Sequence, residues 1–431
     1  MEKGLINIVT LGCSKNIVDS EKIMRQLQAG GYNLVFDSNN TNSETVIINT
    51  CGFINDAKEE SIDTILRYVK AIKSGKIRNL YVMGCLAERY MDALKDEIPE
   101  VTKYFGVNNF KDIINELGIK QRDDLLLDRT LSTPAHYAYL KVSEGCDRSC
   151  SFCAIPIIRG KCISRTFDDI IAESNILVSK GVKEIILIAQ DLSYYGLDLY
   201  GKQMLPQLLK EMVKIEDLEW IRLHYLYPAN FPEELIDIIR DNTKICRYID
   251  IPIQHITNNM LKVMRRSHGR EETETLLNKL RSYIPGVSIR TTLIAGHPGE
   301  TEEEYLQLKE FINRFKFDKL GVFPYSHEED TFAFKNYTDS ITDETKQMRV
   351  SELMEIQQSI SEGLNRLKRG GVFKVLIDRM EGEYYVGRTE FDSPEVDQEV
   401  LIPLTSNLIP GNFYNVKIID SSEFDLFGEV V

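Results

Sequence analysis

The sequence predicts an α/β protein in three parts: an N-terminal doubly wound parallel sheet, a central partial (β/α)6 barrel and a small C-terminal all-β barrel. Three observations carry this. Short apolar runs alternate with amphipathic helical stretches over residues 4–121, and again over 132–363. A polar stretch over 119–135, ending STPAHY, separates the two series as a linker. After Gly370-Gly371 the helical period stops, and over 366–431 short strands are divided by Gly, Pro and Asp turns.

In the first part, INIVTL (6–11), TVIINT (45–50) and NLYVMG (79–84) read as buried strands. They are followed by helices over 16–29, 55–72 and from Ala87 to about Glu97. In the second part, AYLKVS (138–143), EIILIAQ (184–190), WIRLHYL (220–226), YIDIPIQ (248–254), SIRTTLIAG (288–296) and KLGVFPYS (319–326) are six strands with helices between them. That number suits a barrel open on one side. A long helix over 343–368 leads out of it. FKVLID (373–378), EYYVGR (383–388), EVLIPL (399–404), FYNVKII (413–419) and DLFGEVV (425–431) then supply the strands of the β domain.

The 431 residues suffice for two or three domains, and 27 % charged with 43 % hydrophobic residues is an ordinary globular balance. No apolar run reaches the roughly 18 residues of a membrane span. The opening MEKGLINIVTLGCSKN lacks the form of a secretory signal, so a cytoplasmic protein with no membrane contact is expected. The net charge of −14 opposes a general polyanion binder, which needs surplus Lys and Arg. A basic partner protein suits it better.

Eight cysteines in a chain of this kind point to metal or catalysis rather than disulfides. Cys146, Cys150 and Cys153 lie in a loop just after the first barrel strand, at the mouth where such barrels place their active sites. Three thiolates on one cubane leave its fourth iron open, as a catalytic site requires. A structural zinc would need a fourth ligand, for which Cys162 is the only nearby candidate. CxxxCxxC in this position is the signature of the radical S-adenosylmethionine superfamily. Its open iron is expected to bind the methionine moiety of that cofactor and to generate a carbon radical.

Cys13, Cys51 and Cys85 form a second set. Each directly follows a strand and precedes a helix, so a parallel sheet brings all three to its carboxyl edge. The neighbouring Gly12, Gly52 and Gly84 permit close approach of a bulky group, and helix N-termini favour a negatively charged cluster. Two open clusters suggest a division of labour in which one makes the radical and the other holds exchangeable sulfur. Phe152, Gln190, Gly296, Gly299 and Glu300 are candidate contacts to S-adenosylmethionine, together with Asp191. Cys162 and Cys246 read as small core residues, and His255 and His297 as packing or hydrogen-bonding groups at strand ends. The basic stretches Arg159–Arg165 and Arg265–Arg270 read as solvated faces, with contact to a substrate or to the cofactor carboxylate as the alternative.

With LGCSKNIVDSE (11–21), NTCGFI (49–54), MGC (83–85) and EGCDRSCSFC (144–153), the chain resembles the methylthiotransferase family of radical S-adenosylmethionine enzymes over nearly its whole length. The β domain resembles that family's TRAM module. GCSKN, AQDLSYYG (189–196), YIDIPIQH (248–255), GHPGET (296–301) and YVGRTEFDSPEVDQ (385–398) resemble the branch that modifies a ribosomal protein. There Gln398 replaces a common Gly, which concerns only local loop geometry.

The resemblance implies methylthiolation of the β-carbon of an aspartate of ribosomal protein S-12, with two 4Fe-4S clusters. S-adenosylmethionine would act as both methyl donor and radical source. An electron donor such as flavodoxin or ferredoxin is implied as well. Residues 366–431 hold 7 Lys and Arg against 12 Asp and Glu, a net of −5, which suits a basic ribosomal protein better than RNA. The alternatives are a tRNA adenosine methylthiotransferase with the same chemistry and a two-cluster electron carrier.

Overall fold

The chain begins with β1 (Leu5–Thr10), α1 (Ser14–Ala29), β2 (Asn33–Phe36), β3 (Thr45–Thr50), α2 (Asn55–Lys73), β4 (Asn79–Gly84), α3 (Cys85–Glu97), β5 (Lys103–Tyr104) and α4 (Phe110–Glu116). The computed structural model describes residues 4–38, 43–405 and 407–431. The strands pair in parallel in the order β2-β1-β3-β4-β5. TVIINT is buried at every position because helices cover both faces of the sheet. The third helix starts at Cys85 rather than Ala87, so that cysteine is itself the first helical residue.

The barrel follows as β6 (Tyr137–Lys141), β7 (Ser143–Glu144), α5 (Ile155–Arg159), β8 (Ile163–Ser164), α6 (Phe167–Ser179), β9 (Glu184–Ile188), α7 (Leu197–Tyr200) and α8 (Leu205–Met212). It continues with β10 (Trp220–Leu223), α9 (Glu234–Asp241), β11 (Ile245–Asp250), α10 (Asn258–Val263), α11 (Arg270–Tyr283), β12 (Ser288–Ala295), α12 (Glu302–Phe315), β13 (Lys319–Pro324), α13 (Phe332–Asn336) and α14 (Asp343–Leu367). Six parallel strands run β6-β9-β10-β11-β12-β13 in sequence order and do not close, giving the open barrel.

Several strands end earlier than their apolar runs suggest. The regular ladder of YIDIPIQ ends at Asp250, because Pro252 has no N–H to donate, and only an isolated bridge of Gln254 (φ +70°) with Leu293 continues it. WIRLHYL stops at Leu223, and Tyr225 turns the chain with a φ of +62°. These interrupted ends lead into the loops of the barrel mouth.

The two faces of the barrel strands differ in chemistry. Ala138, Leu140, Ile221 and Ile289 face the helices in the largest apolar cluster, with Leu177, Leu277 and Phe311. The alternate positions carry Tyr137, Tyr139, Glu184, Arg222, Tyr248 and Arg290. Their partners come from the C-terminal domain, a closed barrel of β14 (Val372–Glu381), β15 (Tyr384–Thr389), β16 (Val400–Pro403), β17 (Phe413–Ser421) and β18 (Leu426–Val430) in the order β14-β15-β16-β18-β17.

The loop after β15 enters the bore between these inward residues. Arg222 donates to Glu390 O at 2.7 Å, Tyr248 Oη to Asp397 at 2.7 Å and Tyr137 Oη to Glu395 at 3.2 Å; Ser393 Oγ meets His224 Nε2 at 2.9 Å. Lys319 pairs with Asp392 at 2.9 Å and also donates to Gln398, so Gln398 is bonded into the bore rather than lying in a free turn. Arg388 joins Glu184 at 2.8 Å to Asp378 at 2.6 Å.

The stretch over 119–135 is more than a polar linker. Arg129 is 1 % exposed and reaches Glu21 of α1 at 2.6 Å and Glu173 of α6 at 2.7 Å. Replacing Arg129 by Met leaves two buried carboxylates short of a partner, at a cost of about 3–5 kcal/mol. The expected outcome is a clear drop in the urea midpoint of the first unfolding transition; an unchanged midpoint contradicts the reading. Arg388 and His136 hold Asp378 near pH 2, against an ordinary value of 3.8. Because the folded value is depressed, the stabilisation is complete above about pH 4 and is lost as pH falls through 2. The loss is about 2 kcal/mol, and Asp378→Asn is expected to flatten this acid limb of a stability–pH curve.

Candidate functional site

The sheet order places β1, β3 and β4 side by side, all parallel, so their carboxyl ends are neighbours. Cys13, Cys51 and Cys85 emerge there, one per strand. Gly12 has a φ of +88°, and a Cβ on it would lie 2.6 Å from Cys51 Cβ. Gly84 has a φ of +99°, and its Cβ would meet Thr50 O at 2.5 Å. The close approach that these glycines permit is therefore between the cysteine loops themselves.

Two asparagines lock the loops together. Asn16 Nδ2 donates to Leu11 O at 2.8 Å and Thr50 O at 3.1 Å, while Asn49 Nδ2 donates to Asn16 O at 2.9 Å. Burial pushes the Cys51 thiol up to about 12, and the nearby Cys13 and Cys85 sulfurs add to that shift. Burial also raises Cys85, opposed by the Arg159 guanidinium. Cys51 and Cys85 in such a place stay protonated on their own. As thiolates they need a cationic group, and metal ligation supplies it by displacing the protons.

The second set sits on a loop closed at its neck by the antiparallel pair β7–β8. Cys146 N donates to Gly160 O at 3.1 Å. The loop is tied to the barrel mouth through Ser151 N to Met264 O at 2.9 Å, Ala333 N to Ser151 O at 2.7 Å and Ser151 Oγ to His297 Nε2 at 3.2 Å. Burial raises Cys146 to about 11 and Cys153 further. Cys162 is buried beside Ser143, and Cys246 in an apolar cluster with Trp220 and Tyr248, both consistent with core roles.

Among the described residues, no three His, Cys, Asp or Glu side chains are arranged to hold a single metal ion. Zinc bonds of about 2.3 Å would draw three sulfurs to within about 3.8 Å of one another. A four-iron cube spreads its ligands wider, which suits thiols that converge from three separate loops.

Helix α5, which begins two residues after Cys153, joins the two sets. Ala154 and Ile158 pack against Cys85. Arg159, its last residue, donates to Cys85 Sγ at 3.4 Å, Asn16 Oδ1 at 2.6 Å and Glu144 Oε1 at 2.8 Å. Glu144 also accepts from Lys141 at 2.5 Å and from Gln190 Nε2 at 2.9 Å, and Lys141 reaches Asp19 of α1. Arg165 pairs with Glu173 at 2.6 Å. The ends of the basic stretch over 159–165 are thus paired inside the protein and not solvated. The stretch over 265–270 divides: Arg265 is exposed, whereas Arg266 turns inward and donates to Cys150 Sγ at 3.4 Å.

Of the candidate cofactor contacts, Phe152 stands edge-on to His297, with ring centroids 6.3 Å apart. Gly299 has a φ of +90°, and a Cβ on it would meet only Val263 Cγ1, at 4.0 Å. Gly296 faces Lys346 of α14, whose aliphatic stem fills the room of a missing Cβ, so its glycine serves packing. Glu300 is buried with both oxygens engaged, by His255 at 3.2 Å, Gly296 N at 2.5 Å and Arg349 at 2.7 Å. Gln190 lies apart from these four, on the Glu144 side of the loop, and Asp191 is held by Arg148 at 2.7 Å. Burial lowers His297 to about 4, so it is neutral at pH 7 and Ser151 faces an uncharged ring.

Sequence reasoning singled out the stretches that hold Arg159 and Arg266 but not their contacts with cysteine sulfur, and it missed Asn16 and Asn49. The two asparagines stand inside the quoted GCSKN and NTCGFI segments, which is the only signal they give.

Comparison with known proteins agrees with this geometry. Residues 140–312 match the Radical SAM superfamily, 5–106 the uncharacterized protein family UPF0004 and 370–431 the TRAM domain. The ribosomal protein uS12 methylthiotransferase RimO of Bacteroides fragilis is 55 % identical over 432 residues, covering 100 % of both chains. Those of Flavobacterium psychrophilum and Porphyromonas gingivalis are 52 % and 49 % identical, covering 100 % of this chain and 98 % and 100 % of theirs.

The chain belongs to the RimO methylthiotransferase family.

Solved structures of other radical enzymes share the RimO-family fold. The radical S-adenosylmethionine methyltransferase TsrM from Kitasatospora setae matches with a TM-score of 0.57, at 13 % identity over 74 % of this chain and 72 % of that one. The cobalamin-dependent enzyme OxsB matches at 0.52, over 83 % and 61 %.

The interlocked loops make a specific prediction for this family member. Gly12→Ala places a methyl group against Cys51, at a cost of about 1–3 kcal/mol. Cys51 in the metal-free protein is expected to become readily alkylated, where wild type resists. Equal labelling and equal thermal stability in both proteins contradict the packing described.

Proposed function

We propose that this enzyme adds a methylthio group to the β-carbon of an aspartate of ribosomal protein uS12, with one 4Fe-4S cluster on each cysteine set. The observation that carries the reading is the juxtaposition of two sets of three thiols, joined through α5 by the contact of Arg159 with Cys85. Three ligands per set suit a cluster with one open iron, and the raised Cys51 and Cys146 thiols, one in each set, suit metal ligation.

Cys146, Cys150 and Cys153 would hold the cluster that cleaves S-adenosylmethionine. Cys13, Cys51 and Cys85 would hold the one that supplies sulfur. When bound, these groups provide one-electron cleavage of a sulfonium, hydrogen abstraction from carbon and a sulfur atom for transfer.

The chain's own residues hold the two sites in register. Ser151 anchors the Cys146 loop to His297, to Met264 and to Ala333 of α13. Phe152 offers an aromatic edge and Gly299 a backbone without a side chain, and Gln190 stands apart from them, bonded to Glu144; these three are the proposed contacts to S-adenosylmethionine. The Asn16–Asn49 bonds keep the Cys13, Cys51 and Cys85 loops in one arrangement.

The substrate assignment draws on the RimO names of relatives up to 55 % identical over the full chain. The net −5 over residues 366–431 favours a basic protein over tRNA, and the electron donor would be a small carrier of the flavodoxin or ferredoxin class. No helix among the described residues is long and apolar enough to cross a membrane.

The test uses anaerobically reconstituted full-length enzyme with strong reductant, S-adenosylmethionine and either uS12 or tRNA. A mass gain of one SCH₂ unit on uS12 is expected, with tRNA unchanged; the converse result overturns the substrate assignment. Cys146→Ala is expected to abolish cleavage of S-adenosylmethionine. Replacing Cys13, Cys51 and Cys85 together by Ala is expected to leave cleavage but stop methylthiolation, and full methylthiolation by that variant sinks the sulfur role of the first set.

A further inference from the structure

Two arginines each direct an N–H at a cysteine sulfur, one in each set. Arg159 Nη2 lies 3.4 Å from Cys85 Sγ, and Arg266 Nη1 lies 3.4 Å from Cys150 Sγ. Both heads are fixed by other groups. Arg159, with its side chain 2 % exposed, is held by Asn16, Glu144 and Asp19. Arg266 is held by Pro252 O at 2.6 Å and His268 Nε2 at 3.3 Å. It lies 4.1 Å from the centre of the Tyr227 ring, which Arg148 also contacts at 4.0 Å.

The surroundings balance the two charges differently: Arg159 belongs to a neutral group and acts on Cys85 through its directed N–H, whereas Arg266 keeps its charge. Asp19 and Glu144 are shared between Arg159 and Lys141, so the four together are neutral. The partners of Arg266 among the described residues include no carboxylate.

A four-iron core of charge +2 with three thiolates carries −1, and one-electron reduction takes it to −2. An N–H directed at a ligating sulfur stabilises the second state more than the first, the more so where its cation is not balanced by carboxylates, and so raises the reduction potential. The effect is strongest where solvent is excluded. The geometry points to Arg159 and Arg266 as positioning residues that set the two reduction potentials separately, one arginine for each cluster. Separate control follows from their placement, Arg159 at the end of α5 and Arg266 in the turn after α10. This inference rests on the reading that both cysteine sets hold clusters.

The test uses full-length, anaerobically reconstituted protein in two backgrounds that each keep one set: Cys13, Cys51 and Cys85 replaced by Ala, or Cys146, Cys150 and Cys153 replaced by Ala. Arg159→Gln and Arg266→Gln are made in each, and midpoints are read by EPR-monitored redox titration without S-adenosylmethionine. Arg159→Gln is expected to lower the equilibrium constant for reducing the first set's cluster at least tenfold, a negative shift of about 59 mV, and to leave the other midpoint in place. Arg266→Gln is expected to do the reverse, and Arg→Lys at either position to recover part of the shift.

Iron and sulfide contents keep the outcomes distinct. Backgrounds that take up no four-iron cluster refute the two-cluster reading itself. Full clusters with unmoved midpoints refute this inference alone, as does a shift in both midpoints from one substitution. An unmoved midpoint in Arg266→Gln with S-adenosylmethionine binding weakened more than tenfold makes Arg266 a clamp for the cofactor carboxylate instead. Where a Gln variant does not hold its cluster, the Lys variant decides, and a midpoint equal to wild type with the smaller, single-pointed ammonium counts against the inference.

Discussion

Buried arginines hold the three domains in one arrangement. Arg129, Arg222 and Arg388 are the largest side chains with almost no solvent exposure, and each bridges separate parts of the chain. Arg129 ties α1 to α6, Arg388 ties Glu184 of β9 to Asp378 of β14, and Arg222 shares Glu184 while donating to the carbonyl of Glu390. A planar guanidinium suits this task because it satisfies several acceptors in fixed directions. Such networks specify geometry more than they add stability, since each buried charge gives up its hydration. For chemistry that passes a group between two sites, fixed geometry is the property that matters.

The bore of the barrel shows how far this goes. In most barrels of this kind the interior is packed with branched apolar side chains. Here the inward positions are tyrosines and charged residues, and the loop over 390–398 supplies their partners. The C-terminal domain is thereby part of the barrel's interior and not a tethered module. Its acidic character has a structural use as well as any use toward a partner, because Asp378, Asp392 and Asp397 are all spent on internal cations.

The two cysteine sets are built by different means. The CxxxCxxC set is local, a single loop whose neck is closed by a two-stranded ladder and whose tip is pinned to the barrel. The other set is assembled from three loops that are far apart in sequence. It depends on strand order, on two glycines that let the loops interlock, and on two asparagines that tie them. Between the sets lies a single short helix, so a shift in α5 moves Arg159 and the Cys146 loop together.

Much of this was written into local pattern. Period and length of apolar runs determined the α/β class, the six barrel strands and the change to β structure after Gly370, because burial on both faces of a parallel sheet leaves a continuous apolar signature. The cysteine spacing determined one thiol set, and strand–Cys–helix punctuation determined the other. What tertiary structure alone decided is which strands are neighbours, and which charges face inward. Period cannot tell a solvated Arg159 from one buried against Cys85, nor a free Glu300 from one enclosed by His255 and Arg349. Long-range ion pairs leave no period in a sequence: their partners are chosen by packing, where the cost of an unpaired buried charge selects one arrangement among many.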